Sequence, residues 1–130
     1  MENKIVYEFI NSINGKNLEK LSSLMAEDHQ FIDAYGKEVQ GKDKMEAGWK
    51  LYFEWFPDYK IEITDIFNNG DLIAAFGFAS GTFRGMRTEK NENFWKIPAS
   101  WKIMLIQNKI KLWQVYADTK IPFDIITKNS

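Results

Sequence analysis

His29 and Asp33 are the first side chains of this sequence whose types and spacing could move a proton. The segment Asp28–Tyr35 alternates as a strand does, which places both residues on one face together with Phe31. An imidazole titrates near neutral pH, and a carboxylate that is partly withdrawn from water becomes a stronger base. The pair therefore predicts general acid/base chemistry.

Each of these two residues has a structural alternative. Asp33 could accept a hydrogen bond from the loop at Tyr35-Gly36, and His29 could be a partly buried histidine of the core. His29 is the only histidine and the chain has no cysteine. A zinc site would have to use carboxylates alone, so we expect no metal and no cofactor.

The last predicted strand, Ile110–Thr119, carries a second acid near its end. Alternation places Gln114, Tyr116 and Asp118 on one face and Trp113, Val115 and Ala117 on the other. Both faces carry apolar residues, so periodicity leaves the inner face open. We favour the Asp118 face as the inner one, and a structural role for Asp118 at the strand end is the alternative.

Aromatic residues make up 15% of the chain and apolar residues 45%. This content exceeds what a small core needs, and it predicts a broad apolar cavity or a buried interface. The candidates for a ligand-binding wall are Trp49, Phe53, Trp101 and Trp113, with Gln114 and Tyr116 from the favoured strand face. Packing within an ordinary core is the alternative for the four larger side chains.

Helical spacing of apolar residues predicts helices over residues 3–14, 17–26 and 43–56. Asn17 is suited to cap the second helix, and Asp43 with Glu46 has the spacing of a capping box for the third. Pro57 ends that helix because proline has no N–H to donate. Beyond it, the pattern changes to strands, with a hairpin turn at 68–71. The predicted strands after Pro57 are Tyr59–Thr64, Leu72–Phe83, Trp95–Gln107 and Ile110–Thr119.

Composition excludes several classes of protein. The net charge is −1, with 17 basic and 18 acidic residues mixed along the chain, so we expect no nucleic-acid partner. Polar residues interrupt every apolar run near the N-terminus, which argues against a signal peptide or a membrane span. We expect one cytoplasmic domain over residues 1–130, with no membrane partner.

Three segments, FPDYKIEI, GTFRG and KIKLWQVYADT, occur in an order that resembles the SnoaL-like polyketide cyclase branch of the nuclear transport factor 2-like superfamily. The resemblance implies an α+β cone, in which a curved, mostly antiparallel sheet and three N-terminal helices surround a pocket. The Gly81-Thr82 step in GTFRG recurs in the family, and we expect close packing there to exclude a large side chain. The resemblance also implies roles for two acids. Asp33 takes the position of the general base of the ketosteroid isomerase relatives, and Asp118 matches the acid/base aspartate of the cyclases.

The sequence also departs from these relatives. Phe9 stands where the isomerases have their oxyanion-binding tyrosine, and Lys102 falls near their second oxyanion acid, which reverses the charge. Phenylalanine has no donor to stabilise a dienolate oxygen, so we do not expect a true steroid isomerase. Arg84 and Arg87 are the only arginines, and neither falls where the epoxide hydrolases of this fold need one.

The function expected from these observations is that of a small-molecule pocket protein. It would be a cofactor-free acid/base enzyme, cyclase- or isomerase-like, acting on an apolar carbonyl-bearing substrate. A non-catalytic binding module for an apolar ligand and a structural dimeric domain are the alternatives. We also expect a homodimer, because the strand Trp95–Gln107 is apolar on both faces and the relatives pair through the open face of the sheet.

Overall fold

The protein is described here by a computed structural model that covers residues 3–84 and 93–129. These residues form a six-stranded sheet and four helices. In chain order they are α1 (Lys4–Asn14), α2 (Leu18–Leu24), β1 (Met25–Ile32), β2 (Glu38–Gln40), α3 (Lys42–Trp55), β3 (Lys60–Asn69), β4 (Leu72–Thr82), β5 (Phe94–Ile106), β6 (Lys109–Tyr116) and α4 (Lys120–Lys128).

The strands are arranged in the order β2-β1-β6-β5-β4-β3. β1 and β6 run parallel, and every other neighbouring pair is antiparallel. The predicted α+β class with a mostly antiparallel sheet is therefore confirmed. Because β1 and β6 are parallel neighbours, their carboxyl ends lie at the same edge of the sheet. The segments that carry Asp33 and Asp118 both follow at that edge.

Helices α1 and α3 pack on one face of the sheet, each through an apolar stripe. In α1 the stripe contains Phe9, whose ring lies 4.8 Å from that of Trp113 on β6. In α3 the ring of Trp49 lies 6.0 Å from that of Phe31 on β1. We call the buried layer between these helices and the sheet the interior. Its side chains come from both helices and from the facing side of every long strand.

Strand alternation separates the two sides of the sheet. On β5, Trp95, Trp101 and Ile103 are buried toward the helices, whereas Lys102 and Met104 are exposed on the opposite side. Lys102 therefore lies outside the interior. Neighbouring strands follow the same division, which leaves a group of large apolar side chains exposed on the outer face of the sheet.

The end of α1 is attached to the edge strand β3 by one side chain. The Asn14 amide donates to the main-chain oxygen of Ile61 at 3.0 Å, and its oxygen accepts from the Ile61 N–H at 2.8 Å. These two bonds reproduce what a neighbouring strand would supply. They fix α1, and with it Phe9, against the sheet.

Several local predictions require correction. The first strand begins earlier and ends at Ile32, and the loop after it contains the short strand β2. The side chain of Asp43 does not cap α3, because that helix begins at Lys42, immediately after Gly41. The last strand ends at Tyr116, and the residues beyond form α4, which the sequence pattern did not predict. Asn17 does cap α2, accepting from the Lys20 N–H at 3.0 Å.

Arg87 and most of the charged stretch around it lie outside the described residues. In the described ranges, no helix has the length and apolar character needed to cross a membrane.

Candidate functional site

Asp33 follows β1 and binds the backbone of its own loop. Its Oδ1 accepts the main-chain N–H groups of Tyr35 and Lys37, each at 2.9 Å. The carboxylate is half-buried rather than enclosed. These contacts are those of the structural alternative, in which Asp33 stabilises the turn that follows the strand.

Asp118 lies beyond the end of β6 and is exposed. Its Oδ1 accepts the Lys120 N–H at 3.0 Å, at the start of α4. The next residue, Thr119, donates its hydroxyl to the Tyr35 hydroxyl oxygen at 2.7 Å. The two predicted acids thus belong to neighbouring segments at one edge of the sheet, and each is engaged by the backbone.

The prediction that the Asp118 face of the last strand is the inner one is wrong. Trp113 is 1% exposed and packs on Phe9, so its face of β6 is the inner one. Gln114 and Tyr116 lie on the opposite face, where Tyr116 is 51% exposed. The placement of Gln114 and Tyr116 on the inner face fails because the interior is on the other side of the strand. The outer face of β6 is also apolar because it is part of the exposed apolar surface on that side of the sheet.

His29 is the ionisable side chain that the fold places deepest among the predicted acid/base residues. It is fully buried, and its Nδ1 lies 2.8 Å from the main-chain oxygen of Ile110. A carbonyl only accepts hydrogen bonds, so Nδ1 carries the proton and Nε2 carries the free lone pair of the neutral ring. Burial lowers the pKa of His29, which keeps the ring neutral at physiological pH. Four residues of strand, about 13 Å, separate His29 from Asp33.

Five buried ring nitrogens in the described parts of the chain have no hydrogen-bond partner. One is the acceptor Nε2 of His29, and the others are indole N–H donors. These donors belong to Trp49, Trp95, Trp101 and Trp113. Most buried polar atoms in proteins are paired, and leaving a donor unpaired costs about 1–3 kcal/mol. Such a concentration in one interior marks it as a candidate binding site.

Two aromatic groups line this interior. Around α1, Phe9 contacts His29 at 6.3 Å and Trp113 at 4.8 Å, and Trp113 contacts Trp101 at 6.3 Å, all between ring centroids. Around α3, Trp49 contacts Phe53 at 5.5 Å and Tyr59 at 6.4 Å. The four aromatic candidates predicted as ligand wall are therefore all interior residues.

Sequence reasoning missed Tyr52, Tyr59 and Trp95 as members of this lining. Each carries a signal that was available. Tyr52 follows Trp49 by three residues and so lies on the same helix face. Tyr59 begins the strand alternation that continues to Ile61, and alternation places Trp95 on the same strand face as Trp101.

Two grooves on the helices are separate from this interior. One, of about 360 Å³, is lined by Leu18, Asp43, Glu46, Ala47 and Lys50. The other, of about 330 Å³, lies along α1 and α2 and is lined by polar residues such as Glu8 and Asn11. Neither groove contains a site residue predicted from the sequence.

Comparison with known protein families shows which family has this fold. The SnoaL-like domain family matches residues 6–103, which is most of the chain. The chain belongs to the SnoaL-like family. The recognised resemblance is confirmed, and with it the nuclear transport factor 2-like fold.

Solved structures similar to this SnoaL-like protein share its fold at low sequence identity. A ketosteroid isomerase-like protein from Catenulispora acidiphila, solved in complex with trimethylamine, has a TM-score of 0.83 and 18% identity over 98% of this chain and 95% of its own. A candidate SnoaL-like polyketide cyclase from Jannaschia sp. has a TM-score of 0.81 and 14% identity, over 97% and 91%. An epoxide hydrolase from M. tuberculosis has a TM-score of 0.78 and 11% identity, over 97% and 89%.

No curated protein matches the SnoaL-like chain in sequence. The fold hosts cyclases, isomerases and hydrolases, so membership alone does not select a reaction.

Proposed function

We propose that this protein binds a small, mainly apolar molecule inside the cone through oxygen atoms that accept hydrogen bonds. The observation that carries the proposal is the set of four buried indole N–H groups that have no partner within the part of the chain that the structure describes. A carbonyl oxygen placed against one of them would recover the hydrogen bond that folding left unmade. The surrounding aromatic rings supply the apolar contact area that a ligand of this kind needs.

The uncharged lining distinguishes this ligand from a cation or a carboxylic acid. The carboxylates of Asp33 and Asp118 bind the backbone at the sheet edge rather than the interior. His29 is held neutral by burial. The relative from Catenulispora acidiphila was solved with trimethylamine, so a methylated amine is the ligand class to compare directly.

The indole N–H resonances in a ¹H–¹⁵N NMR spectrum test the proposal. We expect 9-fluorenone, a flat aromatic ketone, to shift the signal of at least one of the four buried indoles, assigned from Trp→Phe variants. The indole of Trp55 is 44% exposed on α3 and serves as the internal control. Indole signals that stay unchanged up to the solubility limit of fluorenone would overturn the proposal. Native mass spectrometry of the purified protein is the parallel search for a retained natural ligand.

A second candidate function is acid/base catalysis with His29 as the base. It is favoured by the fixed tautomer, in which the Nδ1–H binds Ile110 and the buried Nε2 lone pair is free to accept a proton. A carbon acid next to a carbonyl would lose its proton to Nε2, while an indole N–H would stabilise the enolate oxygen.

Deuterium exchange separates this candidate from binding alone. We expect the protein to accelerate exchange of the α-protons of 2-indanone in D₂O, and the His29→Asn variant to lose the acceleration. Asparagine can still donate to the Ile110 oxygen, so the fold should be retained. Exchange no faster than in buffer would leave binding as the function.

A further inference from the structure

Four aromatic side chains form a distinct group at the end of the interior where β5 begins. Trp49 and Tyr52 come from α3, Tyr59 follows that helix, and Trp95 lies on β5. Tyr52 and Tyr59 meet edge to face at 4.9 Å, and Tyr59 lies 6.1 Å from Trp95 and 6.4 Å from Trp49. We call this group the Trp49–Trp95 cluster. Trp95 is six residues from Trp101, about 20 Å along the strand, so the cluster is remote from Trp101 and its neighbours.

Two hydrogen-bond donors in this cluster are buried and unused. Trp49 is 4% exposed and Trp95 is 3% exposed, and neither indole N–H has a partner among residues 3–84 and 93–129. One donor comes from the helical layer and the other from the sheet. Tyr59 contacts both rings, so the two indoles belong to one aromatic cluster.

The charge beside the cluster decides what kind of group these donors suit. A box of tryptophans and tyrosines is often a site for a methylated ammonium ion, which the ring faces attract. Here the chain supplies its own cation. The Lys16 ammonium lies 5.2 Å from the centre of the Phe53 ring and donates to the main-chain oxygen of Tyr59. A second positive charge placed next to it would be repelled.

We infer that the Trp49–Trp95 cluster is an oxygen-binding subsite, in which the two indole N–H groups hold a carbonyl or enolate oxygen of the ligand. This inference rests on the proposed function, and it adds a second recognition point to the interior. It also makes Lys16 a specificity residue, because its ammonium disfavours a cationic ligand group beside the cluster. The ligand therefore presents an oxygen acceptor to this end of the cone as well as an apolar body.

The tyrosines of the cluster fit the same role. Burial raises the pKa of Tyr59 far above its ordinary value. Burial also raises the pKa of Tyr52, and the neighbouring Tyr59 adds to the effect. Both phenols thus stay protonated and uncharged at physiological pH. They bring no negative charge that would attract an ammonium ion or repel an oxygen ligand.

A matched pair of probes measures the contribution of the carbonyl oxygen to binding. 9-Fluorenone and fluorene have nearly the same shape, and only fluorenone has a carbonyl. We expect Trp49→Phe or Trp95→Phe to weaken fluorenone binding about fivefold to tenfold, which is the loss of one hydrogen bond, and to change fluorene binding less than twofold. Comparing the two probes in each variant cancels the effect of the smaller ring. Trp55→Phe is the control variant, since Trp55 is exposed on the same helix.

The NMR signals of the wild-type protein give an independent measurement that needs no variant to fold. Fluorenone should shift the indole N–H signals of Trp49 and Trp95, and fluorene should shift them less. If fluorenone shifts only Trp101 and Trp113, the subsite is refuted while the proposed function stands. If neither probe shifts any interior indole signal, both fail.

Tetramethylammonium tests the electrostatic part of the inference. We expect it to leave the Trp49 and Trp95 signals unchanged at millimolar concentration in the wild-type protein. Lys16→Met removes the competing charge and should increase its affinity. Binding to wild type that is tighter than that of fluorenone, with shifts at both tryptophans, would overturn the assignment.

Discussion

The Nδ1 atom of His29 lies 2.8 Å from the main-chain oxygen of Ile110, across the parallel pair of strands β1 and β6. This bond fixes the tautomer of the only histidine, and its buried Nε2 has no hydrogen-bond partner in the described ranges of the chain. Phe9 packs on the imidazole ring at a centroid distance of 6.3 Å and on Trp113 at 4.8 Å. Asp28 and Lys111 form an ion pair at 2.8 Å and act on the pKa of His29 in opposite directions, Lys111 lowering it and Asp28 raising it.

Stability should depend on pH through His29. Burial lowers the pKa of His29 in the folded state below the ordinary value of 6.5, so the unfolded chain binds the proton more readily. The contribution of neutral His29 to the free energy of unfolding should therefore be complete above pH 6.5. The free energy of unfolding should fall as the pH drops from 6.5 through the folded-state pKa. Each unit of pKa difference corresponds to about 1.4 kcal/mol. Urea unfolding between pH 7.5 and pH 5 measures the change.

His29→Asn is the control for that prediction, because asparagine does not titrate and can still donate to Ile110. The slope between pH 6.5 and pH 5 should flatten in the variant. Asp28 and Glu62 also have lowered pKa values through their lysine partners, Lys111 and Lys96 respectively, but they contribute at more acidic pH. An equal slope in both proteins would show that His29 is not the group responsible.

Gly77 should tolerate no side chain. A Cβ atom there would lie 1.8 Å from the main-chain oxygen of Glu62, at the point where the register of β3 and β4 shifts between Ile63 and Asp65. Gly77→Ala must push the two strands apart, and we expect it to lower the free energy of unfolding by about 3 kcal/mol.

The matched control for Gly77 is Gly48→Ala, in the middle of α3. A Cβ at Gly48 would contact only the flexible Met45 side chain, at 3.4 Å. Alanine favours the helix, so this variant should be more stable by about 0.5–1 kcal/mol. Thermal and urea unfolding of both variants give the comparison. A neutral Gly77→Ala would contradict the described close approach of the strands.

Gly81 shows how far sequence reasoning reached. The Gly-Thr step at 81–82 suggested a position where close packing excludes a larger side chain. A Cβ there would lie 3.3 Å from atoms of both Phe56 and Trp95, which confirms the explanation. Helix spacing, the cap at Asn17 and the period-two pattern after Pro57 were readable because each depends on residues close in sequence.

The inner face of β6 could not be read in the same way. Its two faces are both apolar, one for the interior and one for the outer surface of the sheet, so alternation gave two equal choices. Only the position of α1 decides between them, through the contact of Phe9 with Trp113. The helix α4 was missed because its apolar residues continue the run of β6, and Ile121 and Phe123 remain exposed.

Asp33 should matter for the loop rather than for proton transfer. Its Oδ1 accepts two main-chain N–H groups, and the amide oxygen of asparagine can accept the same pair. We expect Asp33→Asn to leave stability within about 0.5 kcal/mol and fluorenone binding unchanged, whereas Asp33→Ala should cost about 1–2 kcal/mol. If Asp33→Asn instead abolished the exchange of 2-indanone protons while the fold persisted, Asp33 would be the base.

The outer face of the sheet should pair with a second copy of the chain. Phe76, midway along β4, is 43% exposed on this face and contacts the Phe67 ring at 6.2 Å, and Leu72 and Met104 are also exposed there. An apolar face of this kind on a small domain favours a partner, and a two-fold axis lets the same patch cover itself. We therefore expect light scattering at micromolar concentration to give about twice the chain mass of 15.3 kDa.

Phe76→Glu should return the mass to that of one chain, because the pairing would bury two carboxylates. Leu51→Glu is the control, since Leu51 is 52% exposed on α3, away from the outer face, and should leave the dimer intact. A wild-type protein that is monomeric under these conditions, or a Phe76→Glu variant that still dimerises, would exclude this face as the interface.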